Sequence, residues 1–336
     1  MHAVVLVGGF GTRLRPLTND VPKPMLPIGH VPMIERLIGR LGRGGVTDVV
    51  LALGFKPEPF VQAFPDGRCG DVTITYAVEP EPLDTGGAIA FAAREAGIGS
   101  TFIVANGDVM TDLDVSRLVD DHRRSGAVAT LHLTSVPDPS SFGVVAIDLD
   151  GGVSADITSF VEKPERGTEP STLINAGTYV FEPSVLDLIE PNIRVSIERD
   201  TFAQLVAAGS IRGFPTDDYW IDAGVPDLYR AANLDLLGER TMESCEAYAP
   251  DARVDPSATV MNCVVGSGAV IEGGTTTVVD SVILPGGFVG AGAQVESSLV
   301  MGRIEAGATV IESIIGAEGV VAPDDHVAFD TVPDVG

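Results

Sequence analysis

The sequence predicts two folds in series, an α/β domain on a mostly parallel, mixed sheet and then a left-handed parallel β-helix. Three observations carry this. Strand-like and helix-like segments alternate through roughly the first 240 residues. After about Glu243 long helical patterns stop and aliphatic residues recur every six positions. A length of 336 residues also suits two domains better than one.

The first domain, residues 1–242, opens on a β-rich run, Ala3–Val7. Pro32–Arg43 has helical spacing in Met33, Leu37, Ile38 and Leu41, and its proline suits a first helical turn. Asp48–Leu53 reads as a strand, Gly86–Ala96 as a helix, Thr101–Ala105 as a buried strand and Val115–Ser125 as a helix. That alternation gives a mainly parallel sheet with helices on both faces. Ala127–Thr134, Val144–Ile147 and Ile157–Val161 lie closer together, which suits antiparallel pairs. Helices follow at Glu198–Ala208 and Asp227–Leu237.

In residues 243–336 Val254 and Val260 are six apart, as are Val265 and Ile271, then Ile283, Val289 and Val295, then Ile304 and Val310. Segments such as VGSGAV, VGAGAQ and IEAGAT repeat one theme, with an aliphatic residue inside and small residues at sharp corners. Three such rungs make one triangular turn. Phase slips, as between Val260 and Val265, are expected to mark loops or irregular corners. Many β-helices of this kind are acyltransferases that use a histidine. Here no histidine falls between Val254 and Ile315, and His326 lies in the tail beyond. The repeats therefore read as an assembly or regulatory module whose flat apolar faces suit a homo-oligomer.

Composition narrows the partners. A balance of 21 basic against 47 acidic residues, net −26, argues against nucleic acid or anionic membrane, which need clustered Lys and Arg. Cys69, Cys245 and Cys263 show no metal spacing, and so sparse a set suits a reducing cytoplasm. The start of the chain shows no signal-peptide pattern and no stretch approaches bilayer length, so a cytoplasmic location is expected. Only three lysines occur, Lys23, Lys56 and Lys163, each followed by proline. A chain that otherwise uses arginine points to lysine where a compact ammonium is needed.

The chemistry gathers in short motifs. Strand Ala3–Val7 runs into Gly8-Gly9-Phe10-Gly11-Thr12-Arg13-Leu14-Arg15-Pro16-Leu17. Glycines after a strand let backbone N–H groups approach a phosphate, and Arg13 and Arg15 can add bidentate contacts. No Gly-Lys-Ser/Thr follows, so this is not a Walker loop, and Leu14 stands where a dinucleotide fingerprint needs its third glycine. Pro22-Lys23-Pro24-Met25-Leu26-Pro27 then sets one lysine in a stiff backbone, a suitable clamp for phosphate charge. Asp108 follows a buried strand, at the sheet edge where α/β proteins bind ligands, and could ligate Mg²⁺ there.

GGFGTRLRPLT followed by PKPMLP resembles the signature of the sugar-1-phosphate nucleotidyltransferases. Further motifs keep that family's order: Leu83-Asp84-Thr85-Gly86-Gly87-Ala88, Asn106-Gly107-Asp108, Phe142-Gly143-Val144-Val145, Val161-Glu162-Lys163-Pro164, Asn175-Ala176-Gly177-Thr178-Tyr179 and Tyr219-Trp220-Ile221-Asp222-Ala223-Gly224. With its repeats the chain is most similar to bacterial mannose-1-phosphate guanylyltransferases that carry a β-helix tail. The resemblance implies a Rossmann-like, GT-A-like domain that uses Mg²⁺, a nucleoside triphosphate and a hexose 1-phosphate. It implies catalytic roles for Arg13, Lys23, Asp108, Lys163 and Asp222, with Asp108 and Asp222 on the metal. The nucleotide would meet Leu6, Gly8, Gly9, Gly11, Thr12, Arg13, Lys23, Glu79, Gly86 and Asp108. The sugar phosphate would meet Gly143, Glu162, Lys163, Asn175 and Gly177.

Glu79 favours guanine, whose N1–H and amino group are two donors on one edge that a carboxylate can accept. Thymine and uracil offer one donor flanked by acceptors, so dTTP or UTP is the alternative reading. A non-catalytic, nucleotide-sugar-binding regulatory subunit is the alternative of another class. Two departures stand out, since the family usually has glycine where this chain has Asp84, and threonine where it has Val225. Mannose against glucose turns on one hydroxyl and stays open at this point.

Overall fold

The computed structural model describes residues 1–9, 11–54, 57–148 and 153–333; Phe10 and Lys56 lie outside the described residues. Packing divides the chain into two compact units, one of Met1–Gly9 with Ile34–Trp220, the other of Phe10–Met33 with Ile221–Gly336. The glycine-rich signature is thus split, and its second part packs with the C-terminal segment.

In the first unit the strands are β1 (His2–Leu6), β2 (Asp48–Leu53), β3 (Val72–Val78), β4 (Phe102–Asn106), β5 (Ala129–Ser135), β6 (Gly143–Asp148), β7 (Ala155–Glu162), β8 (Leu173–Phe181) and β9 (Ile211–Pro215). With the edge strand Arg68–Cys69 they form one ten-stranded sheet, ordered β6-β7-β9-β5-β8-β4-β1-β2-β3-edge. The block β4-β1-β2-β3 is parallel throughout. Beyond it β8 runs antiparallel to both β4 and β5, and β6 antiparallel to β7. The periodicity did not single out β3, β8 or β9. β8 is buried on both faces and lacks a period-two signal.

Helices α1 (Met33–Arg43), α2 (Asp84–Glu95) and α3 (Val115–Ser125) fall close to where their periodicity predicts. Asp114 caps α3 by accepting the Ser116 and Arg117 N–H groups, and Gly126 ends it in a left-handed conformation. Ala88, Ala90, Ala92 and Ala93 make the buried face of α2 narrow, so it can lie close on the sheet. Tyr179, Phe181 and Phe202 close the core, with ring centroids 5.3 to 6.2 Å apart. The helix expected at Glu198–Ala208 begins instead as a π-helical turn, Ile197–Thr201, and continues as α-helix over Phe202–Ala207.

In the second unit three five-stranded parallel sheets make the left-handed β-helix. Val254, Ile271, Val289, Ile304 and Val321 line one sheet; Val260, Val278, Val295, Val310 and Val327 the next; Val265, Ile283, Val300, Ile315 and Val332 the third. The slip expected to be irregular is a regular corner. Every coil takes five residues from the second sheet to the third, as from 278 to 283 and from 295 to 300. A left-handed residue shortens each of these turns: Asn262, Asp280, Ser297, Glu312 and Phe329, with φ from 43° to 55°.

Just past that corner sit Cys263, Ser281, Ser298 and Ser313, all buried. The hydroxyl of Ser298 donates to Glu296 O at 2.7 Å and accepts the Ser313 N–H at 3.1 Å. Ser281 and Ser313 repeat the pattern, with hydroxyls donating to Val279 O and Ile311 O. Each serine thus satisfies a backbone donor of the next coil inside an otherwise apolar stack. His326, assigned to the tail from sequence, instead belongs to a fifth rung paired with Thr309.

Helix α4 (Pro226–Leu237) joins the two segments of this unit. Asn233 accepts the buried Gly29 N–H at 2.8 Å, the Tyr229 hydroxyl donates to Pro27 O, and Arg230 donates to Asp280 O on the β-helix at 3.0 Å. No helix among the described residues is long and apolar enough to cross a membrane. The serine ladder makes a prediction. Ser298→Ala strands the buried Ser313 N–H and is expected to lower stability by about 1–3 kcal/mol, read by denaturant unfolding.

Candidate active site

The first unit brings most of the predicted residues to one edge of its sheet. Leu6 ends β1 beside Asn106 at the end of β4, and Gly107 donates its N–H to Leu6 O at 2.9 Å. Gly8 and Gly9 follow Leu6, and Asp108 follows Gly107. Gly9 has φ 127°, a conformation that side chains rarely adopt. On the other side of β1, Glu79 follows β3 and donates its N–H to Leu53 O at 2.9 Å. This is the carboxyl edge of the parallel block, where ligands bind in open α/β sheets.

Glu79 Oε2 accepts the Leu83 N–H at 2.9 Å, so the carboxylate is aimed by the start of α2 and also holds that start in place. Burial lifts its pKa, the Asp84 charge adds to this, and the Leu83 N–H opposes it. Gly86 donates its own N–H to Val195 O at 2.8 Å, and a Cβ there would lie 2.9 Å from that oxygen. Its lack of a side chain serves the packing of α2 on the 193–197 segment.

The predicted sugar-phosphate residues share that edge. Gly143 and Glu162 face each other across β6 and β7, and the register Val144–Ile174 brings Gly143 alongside Asn175. Asn175 is structural in part. It donates to the Tyr179 hydroxyl at 2.8 Å and accepts the Gly177 N–H at 3.0 Å, pinning a bulge in β8. Gly177, φ 79°, stands against Asn106, whose Nδ2 would be 2.7 Å from a Cβ. Glu162 is 16% exposed and its Oε1 lies 3.5 Å from Lys163 Nζ, on a side chain 61% exposed. Lys163 has φ 49°, a strain of roughly 1–2 kcal/mol for a side-chain residue. Its N–H is held by Phe142 O at 2.9 Å, so the conformation is enforced.

Gly11, Thr12, Arg13, Lys23 and Asp222 belong to the second unit. Gly11 O accepts the Thr18 hydroxyl at 2.8 Å and the Leu14 N–H at 2.9 Å, and Thr12 and Arg13 begin an exposed 3-10 turn. The Lys23 side chain is only 9% exposed and its ammonium lies 3.7 Å from Asp222 Oδ1. Between these groups sits Gly224. A Cβ there would fall 2.6 Å from Asp222 Oδ1, 2.7 Å from Lys23 Nζ and 3.0 Å from an Arg13 guanidinium nitrogen. Ammonium, guanidinium and carboxylate therefore converge on space that only glycine leaves empty. Sequence reasoning quoted Gly224 within a motif without giving it a role. It also passed over Trp220, whose indole donates to Ala176 O at 2.9 Å and packs edge-on against Phe142. Trp220 is thereby anchored within the first unit.

Among the described residues no three His, Cys, Asp or Glu side chains gather into a metal cage. Mg²⁺ does not need one, since it commonly takes one or two carboxylates together with substrate phosphates and water. A carboxylate beside a glycine-made hollow and two cationic groups fits that way of binding.

The family model described as "Nucleotidyl transferase" matches residues 2–239, and one described as "GlmU-like, C-terminal hexapeptide" matches 250–335. The chain belongs to the nucleotidyl transferase family. Members move a nucleoside monophosphate from a triphosphate to a sugar 1-phosphate and generally use Mg²⁺. The mannose-1-phosphate guanylyltransferase of Mycobacterium tuberculosis is 38% identical over 92% of this chain and 83% of its own length. The mannose-1-phosphate guanyltransferase of Schizosaccharomyces pombe is 40% identical over 78% of this chain and 74% of its own. HddC from Yersinia pseudotuberculosis, solved in complex with GMP-PN, is 31% identical with a TM-score of 0.58, covering 69% of this chain and 97% of that one.

Both departures from the nucleotidyl transferase pattern have structural explanations. Asp84 has φ 61°, the left-handed conformation for which glycine is usual, and its Oδ1 accepts the Thr85 N–H at 2.8 Å. A short acid tolerates that geometry, so the turn keeps the shape a glycine would give it. Val225 stands at the N-cap of α4 with extended dihedrals and no capping side chain, so the missing hydroxyl is a missing cap. Val225→Thr is expected to raise stability by about 1 kcal/mol in chemical denaturation. Gly224→Ala is expected to force Lys23 and Asp222 apart and lower stability by about 1–3 kcal/mol in chemical denaturation, because the methyl would lie within 2.7 Å of both charged groups.

Proposed function

We propose that the chain joins GTP to mannose 1-phosphate, releasing pyrophosphate and forming GDP-mannose. The convergence of Arg13, Lys23 and Asp222 on the Gly224 hollow carries this reading, because it is built for a polyanion in an otherwise acidic protein. Residues 1–242 would hold the reaction and 243–336 the assembly of like chains. Exposed Met261, Val320 and Phe329 on the repeats support the second assignment.

In this mechanism an oxygen of the sugar phosphate attacks the α-phosphorus of the triphosphate. The bond to the pyrophosphate oxygen breaks in line, and no protein nucleophile takes part. Arg13 and Lys23 balance charge on the triphosphate, with Lys23 held ready by its pairing with Asp222. Backbone at Gly8, Gly9, Gly11 and Thr12 approaches the phosphates. Lys163 holds the sugar phosphate and Glu162 accepts from sugar hydroxyls, assisted by the close backbone at Gly143 and Gly177. Asp108 and Asp222 would hold Mg²⁺, which supplies charge neutralisation and alignment of the phosphates. Glu79 reads guanine. One of its oxygens already accepts the Leu83 N–H, and a carboxylate retains acceptor capacity for two more donors. Similarity to mannose-1-phosphate guanylyltransferases supports the same base and sugar.

A panel of GTP, dTTP, UTP and ATP crossed with mannose and glucose 1-phosphates tests this. The expected result is fastest turnover with GTP and mannose 1-phosphate, and a clear dTTP or UTP preference would overturn the base assignment. Lys163→Ala should raise the KM for sugar phosphate by about tenfold or more while leaving that for triphosphate near its original value.

Glu162 adds a pH test. Burial pushes its pKa above the ordinary 4.5, the Glu198 charge adds to this and Lys163 opposes it. The folded chain then holds the proton more tightly than the unfolded one, so the stability from this group is present at low pH and lost as pH rises through the raised value. Glu162→Gln should therefore raise the melting temperature at neutral pH, with a gain that fades as pH falls toward 4.5. The same variant should weaken sugar-phosphate binding.

A further inference from the structure

We propose that Gly316, on the β-helix, is a positioning residue for the phosphate-binding loop. It seats Pro16 and thereby sets the stance of the segment that carries Arg13 and Lys23. The three atoms nearest to a Cβ built at residue 316 all belong to Pro16, with Cγ at 2.6 Å and Cβ at 2.7 Å. Gly316 is buried, and so is Pro16.

The β-helix does not itself demand glycine here. Strand pairing aligns Val265, Ile283, Val300 and Ile315, so the residues that follow them, Gly266, Leu284, Met301 and Gly316, occupy one rung position. Each donates its N–H to the interior residue of the next coil at 2.7 Å, as Leu284 does to Val300 O and Gly316 to Val332 O. Leu284 and Met301 carry large side chains in that geometry, and Gly316 is not among the positive-φ glycines. What excludes a side chain at 316 is the proline on the loop.

From Pro16 the loop is tied together by short contacts. Pro16 O accepts the Asn19 N–H at 3.2 Å, and Leu17 donates to Leu14 O at 2.9 Å. Thr18 bonds back to Gly11 O, and a Cβ at Gly11 would meet Thr18 Cγ2 at 3.1 Å and Lys23 Cβ at 3.2 Å. A displacement at Pro16 therefore reaches both cationic side chains within a few residues. The repeats thus contribute to triphosphate binding, beyond any part in assembly. This rests on the reading that Arg13 and Lys23 hold the triphosphate.

The test is steady-state kinetics on the full chain. Gly316→Ala is expected to raise the KM for GTP by about tenfold and to change that for mannose 1-phosphate less than about twofold. Gly266→Ala perturbs an equivalent rung away from the loop, with a Cβ 2.8 Å from Pro285 N, and should leave the KM for GTP unchanged. Pro16→Gly leaves the β-helix untouched and should reproduce the triphosphate defect. The double variant should be no worse than the poorer single one, because both act through one contact. Equal changes for both substrates, an equal loss in Gly266→Ala, or additive effects of the two singles would overturn the inference. If the unmodified chain turns over no substrate pair, the site reading fails instead. Hydrogen exchange then decides the seating on its own, with faster exchange across residues 13–23 in Gly316→Ala supporting it and unchanged exchange refuting it.

Discussion

A lysine that is nine-tenths buried must have a negative neighbour, and much of this protein's second unit follows from providing one for Lys23. The ammonium cannot be left unpaired away from water, and Asp222 answers it at 3.7 Å. Asp222 comes from a distant part of the sequence, so the pair joins the glycine-rich segment to the stretch leading into α4. Three prolines stiffen the chain around Lys23, and Gly224 keeps the space beside it clear. The pair is poor value as a source of stability. Its merit is that two opposite charges are held, the lysine almost wholly out of water, beside the space that Gly224 leaves open.

The first unit solves a different problem with the same economy of parts. Parallel strands β1 to β4 end together, and Gly8, Gly9, Glu79 and Asp108 stand in a row just past their ends. The antiparallel strands β6, β7 and β8 extend that row with Gly143, Glu162 and Gly177. Both glutamates predicted to read substrate, Glu79 and Glu162, are pushed toward their protonated forms mainly by burial. A carboxylate poised in this way accepts hydrogen bonds from a ligand readily, because few are supplied by solvent.

Much of this was legible in the sequence. Helices with a strong 3.6-residue period, such as Val115–Ser125, and short strands bounded by turns, such as Asp48–Leu53, were found to the residue. β8 was not recognised as a strand, because an element buried on both faces alternates nothing. The five-residue corner was read as irregularity, since one slip looks like an accident and only the five-fold recurrence of a left-handed residue reveals a rule. In the site, charged residues announced themselves through motif and composition. Gly224, Trp220 and Gly316 did not, because their importance lies in what stands next to them. The partial structural duty of Asn175 and Gly86 was equally hidden, since a hydrogen bond to Tyr179 or Val195 is a fact of three dimensions.

The serine ladder gives the three middle coils the same connector, a hydroxyl that donates backward within its own coil and accepts forward from the next. Coils of that kind are interchangeable, so related chains could gain or lose whole turns without redesigning the stack. Two turns are exempt from this freedom, the coil whose Asp280 O accepts from Arg230 of α4 and the coil bearing Gly316. The coil bearing Gly316 is registered against Pro16, so length changes are tolerable only on its far side or in compensated numbers between it and α4. The tail is modular except where α4 and the loop hold it.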